Sequence, residues 1–156
     1  MSCGASVTLR DARREEVPLI IAMLADDALG GTRDRVSDQL PAAYFAAFDA
    51  IAANRDSRLL VAELAGEVVG TMQITFIPGL SNLGATKMLI EAVRVAGARR
   101  GSGLGRQMVA AALGLAHARG CKSVELLSHR TRTDAQRFYV GLGFVASHVG
   151  MKLALD

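Results

Sequence analysis

The alternation of apolar and polar residues predicts β-structure at the start of the chain and again before its middle. Residues 6–11, SVTLRD, alternate in this way and are expected to form an opening strand. Two β-prone runs, RLLVAEL and VVGTMQITF, are separated by the short glycine-containing stretch AGE, which is the pattern of a β-hairpin. The sheet is therefore expected to begin with one strand and to continue with a hairpin.

Helical spacing of apolar residues fills the interval between these strands. Residues 13–27 carry apolar side chains three and four positions apart, and the pair Gly30-Gly31 that follows predicts the end of this helix. A second helix is predicted from about residue 37 to residue 53, capped by Ser37 or Asp38. Two helices are therefore expected before the hairpin.

The second half of the chain mixes strands and helices. After a loop at 78–87, the pattern predicts a strand at 88–95, an alanine-rich helix at 104–119 and a strand at 121–128. A short helix at 134–142 and one or two strands within 144–155 complete the chain. Because the elements do not alternate strictly, we expect a largely antiparallel sheet in a single domain over residues 1–156, with one parallel crossover through the helix at 104–119.

The charge and the aromatic content narrow the classes of function. The net charge of +3 comes from 18 basic and 15 acidic residues, and no run of five like charges occurs. The chain has two tyrosines, five phenylalanines and no tryptophan, which is few for stacking on bases. We therefore expect no nucleic-acid partner. A local anionic ligand explains the arginines more economically than a nucleic acid does.

Signals for a membrane segment, a disulfide or a metal site are weak. No apolar run approaches the roughly 18 residues of a membrane span, and no secretory signal pattern opens the chain. Cys3 and Cys121 lie far apart and lack metal-binding spacing, and the three histidines are scattered. The expectation is a cytoplasmic protein with two free thiols, no metal and no membrane partner.

A glycine-rich stretch, RRGSGLG at residues 99–105, connects a predicted strand to a predicted helix. A helix N-terminus presents unpaired N–H groups, and glycines let the backbone approach a ligand, so the combination suits a phosphate. Arg99 and Arg100 would add charge at its rim. A P-loop needs lysine where Arg106 stands, and a GxGxxG pattern begun at Gly101 would place its third glycine on that same arginine. A glycine turn without a ligand stays open as the alternative.

Two sequence motifs, taken together, indicate one family of proteins. Residues 100–105, RGSGLG, have the form Arg-x-x-Gly-x-Gly after the strand IEAVRV, and residues 134–144 read DAQRFYVGLGF. The first resembles the acetyl-CoA signature of the GNAT superfamily of N-acetyltransferases, and the second resembles that family's Ala-x-x-x-Tyr…Gly-Phe segment. The resemblance covers residues 57–155 well. It implies an α+β fold with a mostly antiparallel, twisted sheet of six or seven strands, about four flanking helices, and strands 4 and 5 splayed apart.

The resemblance implies acetyl-CoA as cosubstrate. Backbone amides over one run of residues would hold its pyrophosphate: Arg100, Gly101, Ser102, Gly103, Leu104, Gly105 and Arg106. The pantetheine arm would lie along the exposed edge of Val93, Arg94 and Val95, and a strand that bends away from its neighbour in this manner needs a bulge. The family often has asparagine where this chain has Arg132, so a side-chain contact to pantetheine there stays open.

Two residues are candidates for proton transfer. Tyr139 stands at the position of the family's tyrosine, which implies a general acid for the departing thiolate; a core aromatic is the alternative. Glu91 is the one charge in MLIEAV, a strand expected to be buried on both faces, so it should line a cleft and act as a base, or else pair with an arginine. Asp26, Asp27 and Asp34 either face a cationic acceptor or form a polar loop.

The function implied is acetyl transfer from acetyl-CoA to an amine of a small molecule or a peptide N-terminus, by direct attack in a ternary complex and in a homodimer. A non-catalytic acyl-CoA-binding sensor or interaction domain is one alternative. An enzyme that uses the glycine loop for ATP or NAD is another. The acceptor would be selected by residues 29–41 and 78–87, whose pattern names no substrate.

Overall fold

The computed structural model describes residues 6–155, and Cys3 lies outside them. The strands are β1 (Thr8–Asp11), β2 (Ser57–Leu64), β3 (Glu67–Pro78), β4 (Thr86–Val95) and β5 (Ser123–Leu126). The helices are α1 (Val17–Ala25), α2 (Gly30–Arg33), α3 (Ala42–Ala53), α4 (Ser81–Gly84), α5 (Leu104–Ala118) and α6 (Thr133–Val140). Short 3-10 turns lie at Arg14–Glu16 and Gly97–Arg99. The predicted α+β class is confirmed, and the helices of eight or more residues are the four expected.

The strands form one sheet in the order β1-β2-β3-β4-β5. The first three pairings are antiparallel, whereas β5 runs parallel to β4 after the crossover through α5. The amide of Lys122 donates to the carbonyl of Thr86 at 2.8 Å, which brings the start of β5 beside the start of β4. The predicted antiparallel sheet with one parallel crossover is therefore confirmed.

Helices α1 and α5 cover opposite faces of the sheet. Val61 of β2 packs with Met23 of α1, while the next residue, Ala62, pairs with Gly70 of β3, which lies directly under Met108 of α5. Neighbouring residues of a strand point to opposite faces, so the two helices lie on either side of the sheet. The largest apolar side chains that are fully buried are Leu60, Val61, Val69, Met72, Ile74, Met88, Ile90, Met108 and Val109.

The second long helix begins later than predicted. Helix α3 starts at Ala42 with Pro41 at its N-cap, so Ser37 and Asp38 do not cap it. Proline disfavours helical dihedrals in the residue before it, which keeps Leu40 and the residues upstream out of the helix. The break predicted at Gly30-Gly31 is also wrong in detail, because α2 forms one helical turn there.

The sheet has five strands in the described part of the chain, and the prediction of six or seven is wrong. Residues 144–155 have an apolar alternation but form no strand, and β5 is shorter than the stretch 121–128 predicted for it. A strand is defined by its hydrogen bonds to a neighbour, which a local pattern does not supply.

The chain divides into two compact units, one ending at Glu125 and the other beginning at Leu126. The first contains β1 to β4, α1 to α5 and most of β5; the second contains α6 and the C-terminal segment. The single domain over residues 1–156 stays a prediction. None of the helices within residues 6–155 is long and apolar enough to cross a membrane.

Candidate active site

Strand β4 carries a bulge, as the expected divergence of strands 4 and 5 requires. Gln73 pairs with Glu91 and Thr71 pairs with Arg94, so two residues of β4 stand opposite one residue of β3. The first of these two residues, Ala92, has a φ of 53°, in the left-handed region that a non-glycine residue rarely adopts. A bulge bends its strand and increases the local twist. The bulge that a divergence of strands 4 and 5 needs is thus present.

The strand continues beside β3 after the bulge. Val95 pairs with Gly70, and the amide of Ala96 donates to the carbonyl of Val69 at 2.8 Å. On the other side, β5 begins beside Thr86 and is four residues long, whereas β4 has ten residues. Strands rise by the same distance per residue, so the outer edge of β4 over residues 93–95 extends past the last residue of β5.

The glycine-rich loop leads from β4 into α5 with a backbone that favours glycine. Gly101 and Gly103 have φ values of 77° and 82°, and a Cβ added at either would meet no atom within 4 Å. Gly103 is the N-cap of α5, no side chain caps the helix, and the first helical residue, Leu104, is buried. The N–H groups of the first turn are therefore left for an external acceptor. An open cradle with a helix N-terminus behind it fits a pyrophosphate.

The arginines beside this loop make ion pairs with carboxylates. Arg99 contacts Glu67 at 2.7 Å, and Arg100 donates both to the backbone carbonyl of Asp26 at 2.8 Å and to its carboxylate at 3.0 Å. These contacts tie the loop to the β2–β3 turn and to the end of α1. Both arginines are exposed, so their positive charges lie at the rim, although each is already balanced by an acidic partner.

The aspartates near the end of α1 form ion pairs and hydrogen bonds with other residues of the chain. Besides Asp26, Asp27 lies 3.1 Å from the guanidinium of Arg94, and its carboxylate accepts a hydrogen bond from the amide of Gly30. Asp34 accepts a hydrogen bond from the hydroxyl of Tyr44. For these three residues, the alternative of a polar, structurally engaged loop describes the structure better than an acceptor-facing acidic cluster.

Glu91 lies in β4, immediately before the bulge, and its side chain is exposed. The expectation that this strand is buried on both faces is therefore wrong. Met88 and Ile90 point into the core, and the alternation of the strand turns Glu91 to the opposite, open face. An exposed carboxylate can exchange a proton with water, so the site suits a base that acts through solvent.

The second unit contains the other candidate, Tyr139, on helix α6. Its ring makes edge-to-face contacts with Phe138 and Phe144, whose ring centres lie 5.1 and 5.7 Å away. The amide of Phe144 donates to the carbonyl of Tyr139 at 3.1 Å and closes the turn after the helix. The aromatic packing predicted as its alternative role is therefore observed, and it holds the ring in one orientation while the half-buried residue keeps some solvent access.

The N-terminal end of α6 is held by hydrogen bonds around His129. The Nδ1 atom of His129 lies 2.7 Å from the hydroxyl oxygen of Thr131, and the side-chain amide of Gln136 donates to the backbone carbonyl of His129 at 3.0 Å. Arg137 pairs with Asp134 at the surface. The start of α6 is thus held by contacts between residues that are close in the sequence.

Sequence reasoning missed an open cavity of about 450 Å³ between the end of α1 and the start of the glycine loop. It is lined by Ala22, Met23, Ala25, Asp26, Val36, Ala96 and Gly97. The cavity brings together residues that are far apart in the sequence, and no local pattern could have predicted it. Its lining includes Ala96 and Gly97, which precede the glycine-rich loop.

A model of a known protein family matches most of this sequence. The model of the acetyltransferase (GNAT) family matches residues 22–144 of the 156. The chain therefore belongs to the acetyltransferase (GNAT) family, and the predicted class of enzyme, an acyltransferase, is confirmed. The match includes both motifs on which the resemblance was based.

Solved structures agree with this assignment. A protein of Bacillus halodurans described as a transcriptional regulator is 42% identical, with a TM-score of 0.91 over 96% of this chain and 99% of that one. Glucosamine-6-phosphate N-acetyltransferase from Arabidopsis thaliana has the same fold at 20% identity, with a TM-score of 0.74 and coverages of 97% and 99%. So does an aminoglycoside N-acetyltransferase in complex with CoA, at 16% identity, a TM-score of 0.76 and coverages of 99% and 98%. No curated protein matches the chain.

Proposed function

We propose that this protein transfers an acetyl group from acetyl-CoA to the amine of a small molecule or of a peptide N-terminus. The observation that carries the proposal is the uncapped N-terminus of α5, which follows two open left-handed glycines and the bulged strand β4 in a member of the acetyltransferase family. The homologous fold of an aminoglycoside N-acetyltransferase, described in complex with CoA, supports acetyl-CoA as the donor.

Backbone groups would supply most of the contacts to the donor. The amides of residues 100–106 are proposed to hold the pyrophosphate, with Arg106 adding its exposed charge. The edge of β4 at Val93 and Val95 is proposed to hydrogen-bond the pantetheine arm, as an additional strand would. Arg94 would contribute through its backbone, because its guanidinium is engaged with Asp27.

The chemistry requires two proton transfers and one acyl transfer. A primary amine has a pKa of about 10, so close to neutral pH only a small fraction is the neutral nucleophile. The neutral nitrogen attacks the thioester carbonyl, Glu91 is proposed to take one of its two protons through water, and a backbone N–H of Val93 to Val95 is proposed to stabilise the oxyanion. When the C–S bond breaks, Tyr139 is proposed to give its proton to the leaving sulfur, so that an amide and free CoA are formed and solvent returns the proton of Glu91 to Tyr139.

Calorimetric titration of the full chain with acetyl-CoA tests the donor site, with ATP and NAD as comparison ligands. Gly103→Glu introduces bulk and negative charge into the cradle and should weaken acetyl-CoA binding by at least about tenfold. Gly120→Glu is the matched control, because Gly120 has a similar φ of 75° and equally open space at the far end of α5. No acetyl-CoA binding by the folded wild type, or equal losses in the two variants, would contradict the proposal.

A second candidate function rests on the description of the Bacillus halodurans protein as a transcriptional regulator. In that case the chain would bind acyl-CoA as a sensor or interaction domain and transfer nothing. Acetyl-CoA binding without release of free CoA in the presence of a panel of amines, unchanged in Tyr139→Phe, would favour this candidate.

We also propose that the protein acts in the cytoplasm as a homodimer, and that residues 1–156 form a single domain. Cys121, the free cysteine within residues 6–155, supports a reducing compartment, and burial raises the pKa of its thiol.

A further inference from the structure

A second cavity, of about 410 Å³, lies between helix α3 and the first two strands of the sheet. Its volume is in the range of pockets that hold small molecules. Every residue that lines it belongs to the compact unit that ends at Glu125. The cavity lies where β1 ends at Asp11 and β2 begins at Ser57, whereas the glycine-rich loop follows the end of β4. The antiparallel pairing puts these points at opposite ends of the sheet, so the cavity is separate from the proposed donor site.

One wall of the cavity is apolar and is held by the core. Ala12 and Leu59 pack against the buried cluster that contains Val61, and the amide of Ala12 donates to the carbonyl of Leu59 at 2.8 Å. Phe48 and Ile51 of α3, which are both half-buried, continue this wall. The wall therefore offers an apolar ligand group a surface that is partly withdrawn from water.

Two arginines lie on the polar side of the cavity. Arg58 donates twice to the carboxylate of Asp11, from Nε at 2.8 Å and from Nη2 at 3.1 Å. These bonds orient the guanidinium and, in the described part of the chain, leave its Nη1 for another acceptor. Arg55 lies in the turn between α3 and β2, and its guanidinium has no carboxylate partner within residues 6–155. The cavity thus has guanidinium donors that no protein acceptor uses.

The acidic residues close to Arg55 in the sequence are paired with other arginines. Asp49 lies 3.0 Å from Arg14, and Asp56 lies 2.7 Å from Arg119. Two arginines and one aspartate line the cavity, so the charges of its lining leave one positive charge unbalanced. A ligand with a single negative charge would balance it.

We propose that this cavity binds a small monocarboxylate with an apolar body, such as a medium-chain fatty acid. The carboxylate accepts hydrogen bonds from Arg55 and from Nη1 of Arg58, while the apolar body lies against Phe48, Ile51 and Leu59. A guanidinium presents a planar fork that matches a carboxylate, so the ligand is selected by shape as well as by charge. The proposal does not depend on acetyl transfer, because it uses none of the residues assigned to that reaction.

NMR titration of the ¹⁵N-labelled full chain with octanoate tests the site, with octanamide as a neutral ligand of the same length. Octanoate should bind with a Kd of about 1 mM or tighter, as expected for a ligand of this size, and should shift amide signals within residues 48–59. Octanamide should bind at least about tenfold more weakly, because it has no charge to pair with the arginines. No octanoate binding by the folded chain, equal affinities for the two ligands, or shifts confined to the glycine-rich loop would overturn the proposal.

Two pairs of variants test the two parts of the site. Arg55→Gln should weaken octanoate binding at least about tenfold, whereas Arg35→Gln removes the same charge from an exposed position outside the cavity and should not. Ala52→Phe places a ring in the cavity and should weaken octanoate to a similar extent, whereas Ala53→Phe, at the next position of α3 and outside the lining, should not. The spectrum of each variant shows whether it is folded. Equal octanoate affinities within either pair would show that the ligand binds elsewhere.

Discussion

The Nε atom of Arg94 lies 3.1 Å from Oδ2 of Asp27, and this ion pair joins the bulged strand β4 to the turn after helix α1. The two side chains are only 13% and 25% exposed, so the pair is largely withdrawn from water. Asp27 also accepts a hydrogen bond from the amide of Gly30. The pair therefore fixes the position of the strand edge proposed to bind pantetheine.

Asp27→Asn should destabilise the protein by roughly 1–3 kcal/mol, because it leaves a half-buried guanidinium without its counter-charge. Asp26→Asn is the control: Asp26 pairs with Arg100 in an exposed position, so its loss should cost less than about 1 kcal/mol. Urea unfolding of the two variants and of wild type measures the difference. Equal costs for the two neighbouring aspartates would mean that the burial of the Arg94 pair has no energetic consequence.

Gly70 is required by the close approach of helix α5 to the sheet. A Cβ at this position would lie 2.6 Å from Sδ of Met108 and 2.8 Å from the carbonyl oxygen of Arg94. Gly70→Ala should therefore destabilise the protein by about 1–3 kcal/mol through overpacking. Gly114→Ala, in the exposed part of α5 with no atom within 4 Å of the new Cβ, should instead stabilise it by about 0.5–1 kcal/mol. Thermal unfolding shows whether the two substitutions have opposite signs.

The features that local sequence could predict are those that local backbone chemistry determines. The hairpin, the long α5 and the glycine loop follow from alternation, helical spacing and the left-handed φ of Gly101 and Gly103. The motifs of the loop and of α6 also carried the resemblance to the family.

Features that depend on distant partners could not be predicted in this way. The Asp27–Arg94 pair joins residues far apart in the sequence, and the exposure of Glu91 depends on which face of β4 the helices cover. The strand expected within 144–155 needs a neighbour that the described chain does not supply. Helix α3 begins at Ala42, later than Ser37 and Asp38 predict, because Pro41 keeps the residue before it out of helical dihedrals.

The stability of the protein should depend on pH through Glu16. A hydrogen bond from Arg10 at 2.7 Å lowers the pKa of this carboxyl below its ordinary value of 4.5, partly offset by burial. Because the native state favours the ionised form, the stabilisation is fully present above the ordinary pKa and is lost as pH falls through the lowered one. Glu16→Gln should cost roughly 1–3 kcal/mol at neutral pH.

The difference between Glu16→Gln and wild type should shrink in acid, when the wild-type carboxyl is protonated as well. Asp49→Asn provides the comparison, since Asp49 pairs with Arg14 at an exposed site and its loss should cost less than about 1 kcal/mol. Urea unfolding over a series of pH values measures both effects. A wild-type advantage that stays constant into acid would show that packing, not charge, accounts for the cost.

Glu91→Gln tests the proposed base. If Glu91 receives the amine proton, the variant should lower kcat/KM by about a hundredfold near neutral pH, and the loss should shrink as the pH rises, because base from the solvent replaces the carboxylate. Glu125→Gln, which removes the exposed carboxylate that pairs with Lys87 on the adjacent strand, should change neither kcat/KM nor its dependence on pH. The measurement is release of free CoA with an amine acceptor found by screening. A Glu91→Gln profile that is scaled down but unchanged in shape would assign the residue a positioning role.

Tyr139→Phe tests the proposed acid with little change in packing, because the contacts of the ring with Phe138 and Phe144 remain. Loss of the hydroxyl should lower kcat by roughly a hundredfold to ten-thousandfold, leave the affinity for acetyl-CoA close to wild type, and remove the fall in rate on the alkaline side of the profile. The other tyrosine provides a matched control. Tyr44→Phe removes a hydroxyl that accepts from the amide of Arg35 and donates to Asp34, so it should alter stability and not the profile.

The two tyrosine variants separate a chemical role from a structural one. If Tyr139→Phe and Tyr44→Phe lower kcat equally and in proportion to their loss of stability, the hydroxyl of Tyr139 is not the acid and the thiolate leaves with a proton from water. If Tyr139→Phe alone loses kcat, and the loss is largest with acetyl-CoA and smaller with a thioester whose thiol is more acidic, the hydroxyl protonates the leaving group. That dependence on the leaving group follows because a more acidic thiol needs less help from a general acid.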